Sequence, residues 1–371
     1  MEMLTPSWRT LALFDGIGGH QGNLLPTLGA LHAQPENALF FDRMFRALDD
    51  LREHLGGVPE PAVPAGSRLR RWFTAPATAP PTGTDDSVVA GICVHLIQLC
   101  DLQPRRAALD TVTAAIGHSI GLQAAIVAGL RPKRTDAFLA LAETSLKLVA
   151  LSLARGHQAT TGRQVPTELA ERYASAGDPR QRPGPMALVS GPSRADLAAL
   201  VDRYRRDTGR SVAVGLVNTP TTGVLSGHTE DLLHFHAHHE AVFRSGAATW
   251  TFLTNTLPFH SPHLAAAADE VRRDRTFVGP LPAAGELRIP VYAADAPRTL
   301  PPDADLLDEF VDQVLVRPVD WATASVHAVT DAGITTVLDC GPGPAARRFT
   351  RECLGGRTLR FESIRRASRR P

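Results

Sequence analysis

Gly117-His118-Ser119-Ile120-Gly121 is the stretch that decides the fold. Ala114-Ala115-Ile116 before it is apolar and short, the pattern of a buried strand, and the Ala-rich apolar run over 122–130 reads as a helix. Strand, Gly-x-Ser-x-Gly turn and helix together make a nucleophile elbow. The glycines let the backbone turn without a Cβ clash, and the serine arrives at a helix N-terminus whose free N–H groups favour developing negative charge.

The flanking segments alternate strand and helix. A strand over 11–14 ends in a Gly-rich loop over 15–22, and a helix over 39–55 follows. The Pro-, Ala- and Gly-rich piece over 56–84 reads as a long surface loop. The apolar helix over 87–102 belongs to the core. Phe138, Leu141, Leu146, Val149 and Leu153 mark an amphipathic helix over 135–155, and a polar loop spans 156–185. Strand 186–189, helix 194–206, strands 211–217 and 223–227, helix 229–243 and strand 248–253 then follow in the order of a split βαβ unit. After them come a Pro-bracketed turn over 258–263, a helix over 264–273, a strand over 289–292, helices over 305–315 and 320–332, and a strand over 336–338 that ends in Gly341-Pro342-Gly343-Pro344. The expected fold class is α/β. A parallel-sheet, α/β-hydrolase-like large subdomain (1–185 and 257–371) carries an inserted ferredoxin-like small subdomain (186–256).

Composition narrows the function. The 371 residues are 43% hydrophobic and 21% charged, ample for a large core, and the net charge of +1 supplies no field for nucleic acid or a membrane surface. Cys93, Cys100, Cys340 and Cys353 have neither C-x-x-C spacing nor the density of a disulfide scaffold, so they read as reduced thiols. No apolar run approaches a membrane span, and the first ten residues lack a signal-peptide pattern, so the expected location is cytoplasmic. The Arg-rich end over 357–371 reads as solvated.

A serine hydroxyl needs a positioned base, and the chain has 14 histidines. His118 adjoins the serine, but on an elbow its side chain points away. His234, His236, His238 and His239 lie on one helical run with no carboxylate or thiol at ligand spacing; they read as a solvated face, and no metal is expected. His260 sits in Leu257-Pro258-Phe259-His260-Ser261-Pro262-His263-Leu264, a fixed turn at the junction after the small unit, where a cleft residue belongs. His263 is the competing candidate.

Four segments in order resemble the acyl-carrier-protein acyltransferases: Gly117 to Gly121, the 216–227 piece with Leu216-Val217-Asn218 and Val224-Leu225-Ser226-Gly227, the His260 turn, and Leu338-Asp339-Cys340-Gly341-Pro342-Gly343-Pro344. That family includes malonyl-CoA:ACP transacylase, polyketide-synthase acyltransferase domains and the acetyltransferase domain of type I fatty acid synthases. The resemblance covers residues 10 to 352. It implies Ser119 as the nucleophile that forms an acyl-enzyme and His260 as general base and acid. It also implies a carbonyl from Gln313, upstream of Pro318-Val319-Asp320-Trp321, as the group orienting the histidine, with the backbone N–H groups of Ile17 and Ile120 as the oxyanion hole. Phe14-Asp15-Gly16-Ile17-Gly18 stands where the family has F-P-G-Q-G or F-G-G-Q-G; a main-chain donor survives loss of the glutamine, whereas a side-chain role does not.

The departures bear on substrate. Malonyl-selective relatives carry, about 25 residues after the serine, an arginine that clamps the free carboxylate. Here Leu141-Ala142-Glu143-Thr144-Ser145-Leu146 holds no arginine, and Thr144 takes the place. A buried carboxylate without a cation is costly, so dicarboxylic acyl groups are expected to be rejected. Leu122 stands where malonyl-type members have an acidic residue, and Leu122, Thr144 and Asn218 are the expected pocket residues. The resemblance thus implies a starter-type acyltransferase. It moves a non-carboxylated acyl group from acyl-CoA or an acyl carrier protein, through acyl-serine, to the phosphopantetheine thiol of a carrier protein, as a monomer and without a cofactor. A hydrolase that discharges the same acyl-enzyme to water, transfer to a small-molecule acceptor, and a non-catalytic docking protein are the alternatives.

Overall fold

The computed structural model describes residues 9–18, 23–56, 63–79, 85–104, 109–161, 165–176 and 182–367. Among them ten strands, β1 to β10 in chain order, form two five-stranded sheets. The first contains β1 (Thr10–Phe14), β2 (Val112–Gly117), β7 (Val291–Tyr292), β9 (Thr336–Asp339) and β10 (Arg360–Ser363), in the order β10-β9-β1-β2-β7 and all parallel. Every residue of β1 is buried, as expected of a central parallel strand covered on both faces. Phe14 pairs with Gly117, so the loops after β1 and β2 leave the sheet side by side at its C-terminal edge. Open parallel sheets bind ligands at that edge.

The second sheet contains β3 (Met186–Ser190), β4 (Ala213–Thr219), β5 (Thr222–Ser226), β6 (Thr249–Phe252) and β8 (Val319–Asp320), in the order β6-β3-β5-β4-β8. Its first four strands are antiparallel, with helices Arg194–Thr208 and Thr229–His238 as the connections, which is the topology of a split βαβ unit. A two-residue strand, β8, adds parallel to β4.

Three helices form the core behind the elbow. Ser87–Asp101 is buried at every position, the mark of a helix surrounded by protein. Gly121–Leu130 is likewise buried throughout. Thr135–Thr160 is long and apolar enough, by length and composition, to cross a membrane, but most of it is buried in this fold, so burial among helices accounts for its apolarity.

Several segments expected to be loops are helical. Gly66–Thr74 is a helix because Leu69, Trp72 and Phe73, spaced three and four apart, bury one face. Within 156–185, the long helix continues to Thr160 and Thr167–Ala176 is a further helix. The expected helix over 229–243 breaks at His239, and Arg360–Ser363 of the basic end pairs with β9. Parts of the 15–22, 56–84 and 156–185 segments, and the last four residues, lie outside the described residues.

Candidate active site

The elbow forms because two glycines stand where nothing larger fits. A Cβ on Gly117 would lie 2.1 Å from the Gly121 backbone, and one on Gly121 would lie 2.7 Å from the Asp15 carbonyl. Ser119 is held at φ 53°, a conformation costly for a residue with a Cβ and retained where a side chain has to be presented. The helix Gly121–Leu130 begins immediately afterwards.

His260 reaches the serine from the turn after β6 and is itself at φ 58°. Ser119 Oγ and His260 Nε2 are 2.9 Å apart. His260 Nδ1 lies 2.9 Å from the Gln313 carbonyl and 3.2 Å from the Arg317 carbonyl. Carbonyl oxygens only accept, so Nδ1 carries the proton and the Nε2 lone pair faces the serine hydroxyl. Burial, with a smaller contribution from nearby His118, pushes the His260 pKa down to about 3. The imidazole is therefore neutral near pH 7, the form a general base requires.

The Gln313 carbonyl is free for this bond for a local reason. The chain over Asp312–Val316 widens into a π-helical turn, in which the Arg317 amide donates to the Asp312 carbonyl at 2.7 Å. The next donor in that register would belong to residue 318, a proline without an N–H. The Gln313 side chain bonds elsewhere. Its Oε1 accepts from the Ala294 amide at 3.0 Å, and its Nε2 donates to Glu309 at 2.8 Å.

Ile17 and Ile120 are the expected oxyanion donors. Neither amide has an acceptor among the described residues. Gly16, next to Ile17, lies against Ser119: a Cβ there would be 3.1 Å from Ser119 Cβ. The Ile17 side chain packs on Gly91 together with Leu153 of the long helix, while Gly156 of that helix meets Leu257 of the histidine turn. The 153–156 segment therefore runs between the loop after β1 and the histidine turn. Ser152 beside it is buried, and its hydroxyl has no partner among the described residues.

Other expected site residues fall elsewhere. His118 Nε2 donates to Asn218 Oδ1 at 2.9 Å, and its ring packs on Trp321. Asn218, an expected pocket residue, thus braces the residue before Ser119, and its side-chain oxygen is committed to that bond. The His263 ring packs at a tilt against His228. Leu122 is a buried core residue. Thr144, the expected pocket residue, lines a cleft with Gly279 and Pro280. It faces Gly279 in an outer cleft with Arg43, Glu143, Lys147 and Phe277, because one step along a helix turns a side chain by about 100° and its neighbour Ser145 takes the inward position, bonded to His95 at 2.8 Å. The histidines over 234–239 are not simply a solvated face: His236 stacks on Phe243, and His239 packs on Phe235.

Sequence reasoning missed the Arg317 carbonyl, for which the following proline was the available signal. It also missed Asp15 and Gln98, the latter visible as a glutamine inside an otherwise apolar helix.

No family model matches the chain. Among curated proteins it is 30% identical over 206 residues to fatty acid synthase 2 of Mycosarcoma maydis, covering 49% of this chain and 5% of that protein. It is 26% identical over 237 residues to fatty acid synthase subunit beta of Gibberella zeae, covering 62% of this chain and 11% of that subunit. The chain thus spans only a small part of the curated relatives it matches. Among solved structures, the malonyl-CoA–acyl carrier protein transacylase of Coxiella burnetii superposes with a TM-score of 0.65 at 18% identity, covering 96% of this chain and 94% of that one. A malonyl-transacylase in complex with a type II polyketide synthase acyl-carrier protein gives 0.65 at 17% identity, over 96% and 95%. An acyltransferase domain in complex with a 2-(pent-4-yn-1-yl)malonyl group gives 0.63 at 16%, over 96% and 70%. The chain has the fold of the malonyl-CoA:acyl carrier protein transacylases.

Proposed function

We propose that this protein is an acyltransferase that carries an acyl group on Ser119 between a thioester donor and the phosphopantetheine thiol of an acyl carrier protein, in fatty acid or polyketide synthesis. The observation that carries the reading is the 2.9 Å contact between Ser119 Oγ and His260 Nε2, with two carbonyls fixing the far side of the ring. The fatty acid synthase relatives and the carrier-protein complex among the structural neighbours support it.

Ser119 Oγ attacks the thioester carbonyl as its proton passes to His260 Nε2. The Ile17 and Ile120 amides receive the oxyanion. The C–S bond breaks, the leaving thiolate takes the proton from His260, and acyl-serine remains. The acceptor thiol then gives its proton to His260 and attacks the acyl-serine, and Ser119 recovers its proton as the C–O bond breaks. The positive ring formed in each half is held by the Gln313 and Arg317 carbonyls at Nδ1. Every step uses this chain's own groups and the two thioester partners.

The acyl group is of the starter type, without a free carboxylate. Both basic side chains in the interior length of the helix Thr135–Thr160 are committed outward. Lys147 pairs with Asp50 and Glu143, and Arg155 pairs with Asp274. A malonyl carboxylate buried beside that helix would lack a counter-charge. Incubation with acetyl-, butyryl-, hexanoyl- and malonyl-CoA, followed by intact-mass measurement, tests this reading. It expects adducts with the monocarboxylic groups and none with malonyl; preferential malonyl loading overturns the starter assignment. The ratio of transfer to hydrolysis with a carrier protein present separates transferase from hydrolase.

A further inference from the structure

We propose that Asp15 and Gln98 are positioning residues that hold the Ile17 amide in the oxyanion hole, by fastening the loop after β1 to the segment after β9 and to the N-terminus of the helix Ala345–Cys353. The inference rests on the acyltransferase reading, since it assigns the purpose of the Ile17 donor.

All three polar groups of Asp15 are engaged. Its amide donates to the Gly341 carbonyl at 3.1 Å. Its own carbonyl accepts from Gln98 Nε2 at 2.8 Å, and the same nitrogen lies 2.9 Å from the Gly341 carbonyl. Its carboxylate accepts from the amides of Gly16 at 3.0 Å, Ala345 at 3.1 Å and Ala346 at 3.1 Å. The last two are otherwise orphan donors of a nine-residue helix, where a negative charge is favoured. The fit is close, because a Cβ on Gly343 would lie 2.6 Å from Asp15 Oδ2.

This clamp ends two residues before Ile17, on a loop whose Gly16 touches the nucleophile. Oxyanion donors act by being in place before charge develops, and a shift in their position forfeits that advantage. Gln98 and Asp15 are both buried, so the clamp works out of reach of solvent. Burial raises the Asp15 carboxyl to about 6 against the opposing pull of its three amide donors and Arg348. The neighbouring charges are Arg348 on the capped helix and Asp339 at the end of β9; burial pushes the imidazole of His118, beside Gly16, down. His260 titrates well below this range.

The test is single-turnover acylation of the whole protein by acetyl-CoA between pH 5 and 8, for wild type, Asp15→Asn, Asp15→Ala, Gln98→Leu and the Asp15→Ala/Gln98→Leu pair. The clamp predicts losses in the limiting acylation rate of about 10-fold for Asp15→Asn and about 30-fold or more for Asp15→Ala and Gln98→Leu, with half-saturating acetyl-CoA moved less than about threefold. The pair is expected to be no slower than about twice the slower single variant, since both residues hold one loop. A limb near pH 6 in wild type is expected to vanish in Asp15→Asn. Amide exchange of the 14–18 segment gives a readout independent of activity, expected to speed up about 10-fold or more in Asp15→Ala. Rates within twofold of wild type in folded variants, losses confined to half-saturation, or unchanged exchange would overturn the clamp. Should Asp15→Ala fail to fold, the isosteric Asp15→Asn decides by the same rate and pH criteria. A wild type that loads no acyl group from any donor overturns the acyltransferase reading instead, and the exchange measurement then still decides whether the loop is clamped.

Discussion

Pro318 leaves the Gln313 carbonyl without a helical donor, and that carbonyl instead accepts the Nδ1 proton of His260 at 2.9 Å. The group that holds the ring is thus main chain, and side chain 313 matters through its own hydrogen bonds to the Ala294 amide and Glu309. Gln313→Ala should keep the acylation rate within about 10-fold while destabilising the fold by about 1–3 kcal/mol, because the buried Ala294 amide loses its acceptor. Denaturant unfolding beside single-turnover kinetics checks it. A loss as deep as that of His260→Ala would place the side chain in the chemistry.

His260→Ala should slow acylation by at least about 10²-fold, the usual worth of a general base. The same residue carries a stability signature. Its folded pKa, about 3, lies below the ordinary 6.5, so between these values the unfolded chain binds a proton that the native one refuses. Its contribution to stability is full above about 6.5 and falls as pH drops toward 3. Buried His95, also lowered to about 3, acts in the same sense. Melting temperature should therefore fall between pH 7 and pH 5, and fall less in His260→Asn; an equal fall in that variant contradicts the assignment.

Ser119→Gly should abolish acyl loading without loss of stability. The native φ of 53° costs a serine more than a glycine, so the fold gains where the chemistry is lost. Thermal melts and intact-mass spectra of the two proteins measure both halves of this trade.

Thr144→Arg should leave acyl selectivity unchanged, because position 144 opens onto the cleft with Gly279 and Phe277. Malonyl loading by this variant, absent in wild type, would show that the cleft connects to the site.

Much of the site was legible because its signals are local. Gly117, Ser119 and Gly121 specify a turn by sterics, and the Pro-bracketed His260 turn specifies a fixed one. The parallel order of strands followed from alternation with helices. What escaped reading depends on contacts far apart in sequence. Asp15 looks like a loop residue until the helix at Ala345 arrives to meet it. Gln98 looks like a blemish in an apolar helix until the Gly341 carbonyl is beside it. Counting along the chain gives position 144 only to within a residue, and a helix turns one residue into a different face. The helix Gly66–Thr74 was hidden by its Pro- and Ala-rich neighbours, although Leu69, Trp72 and Phe73 already carried helical spacing.

The most direct measurement is peptide mapping of the protein after brief exposure to acetyl-CoA, followed by addition of phosphopantetheinylated carrier protein. The account predicts an acetyl group on the peptide containing Ser119, absent in Ser119→Ala, that moves to the carrier thiol faster than it is lost to water. An acetyl group retained in Ser119→Ala, or one that water removes as fast as the carrier protein does, would contradict it.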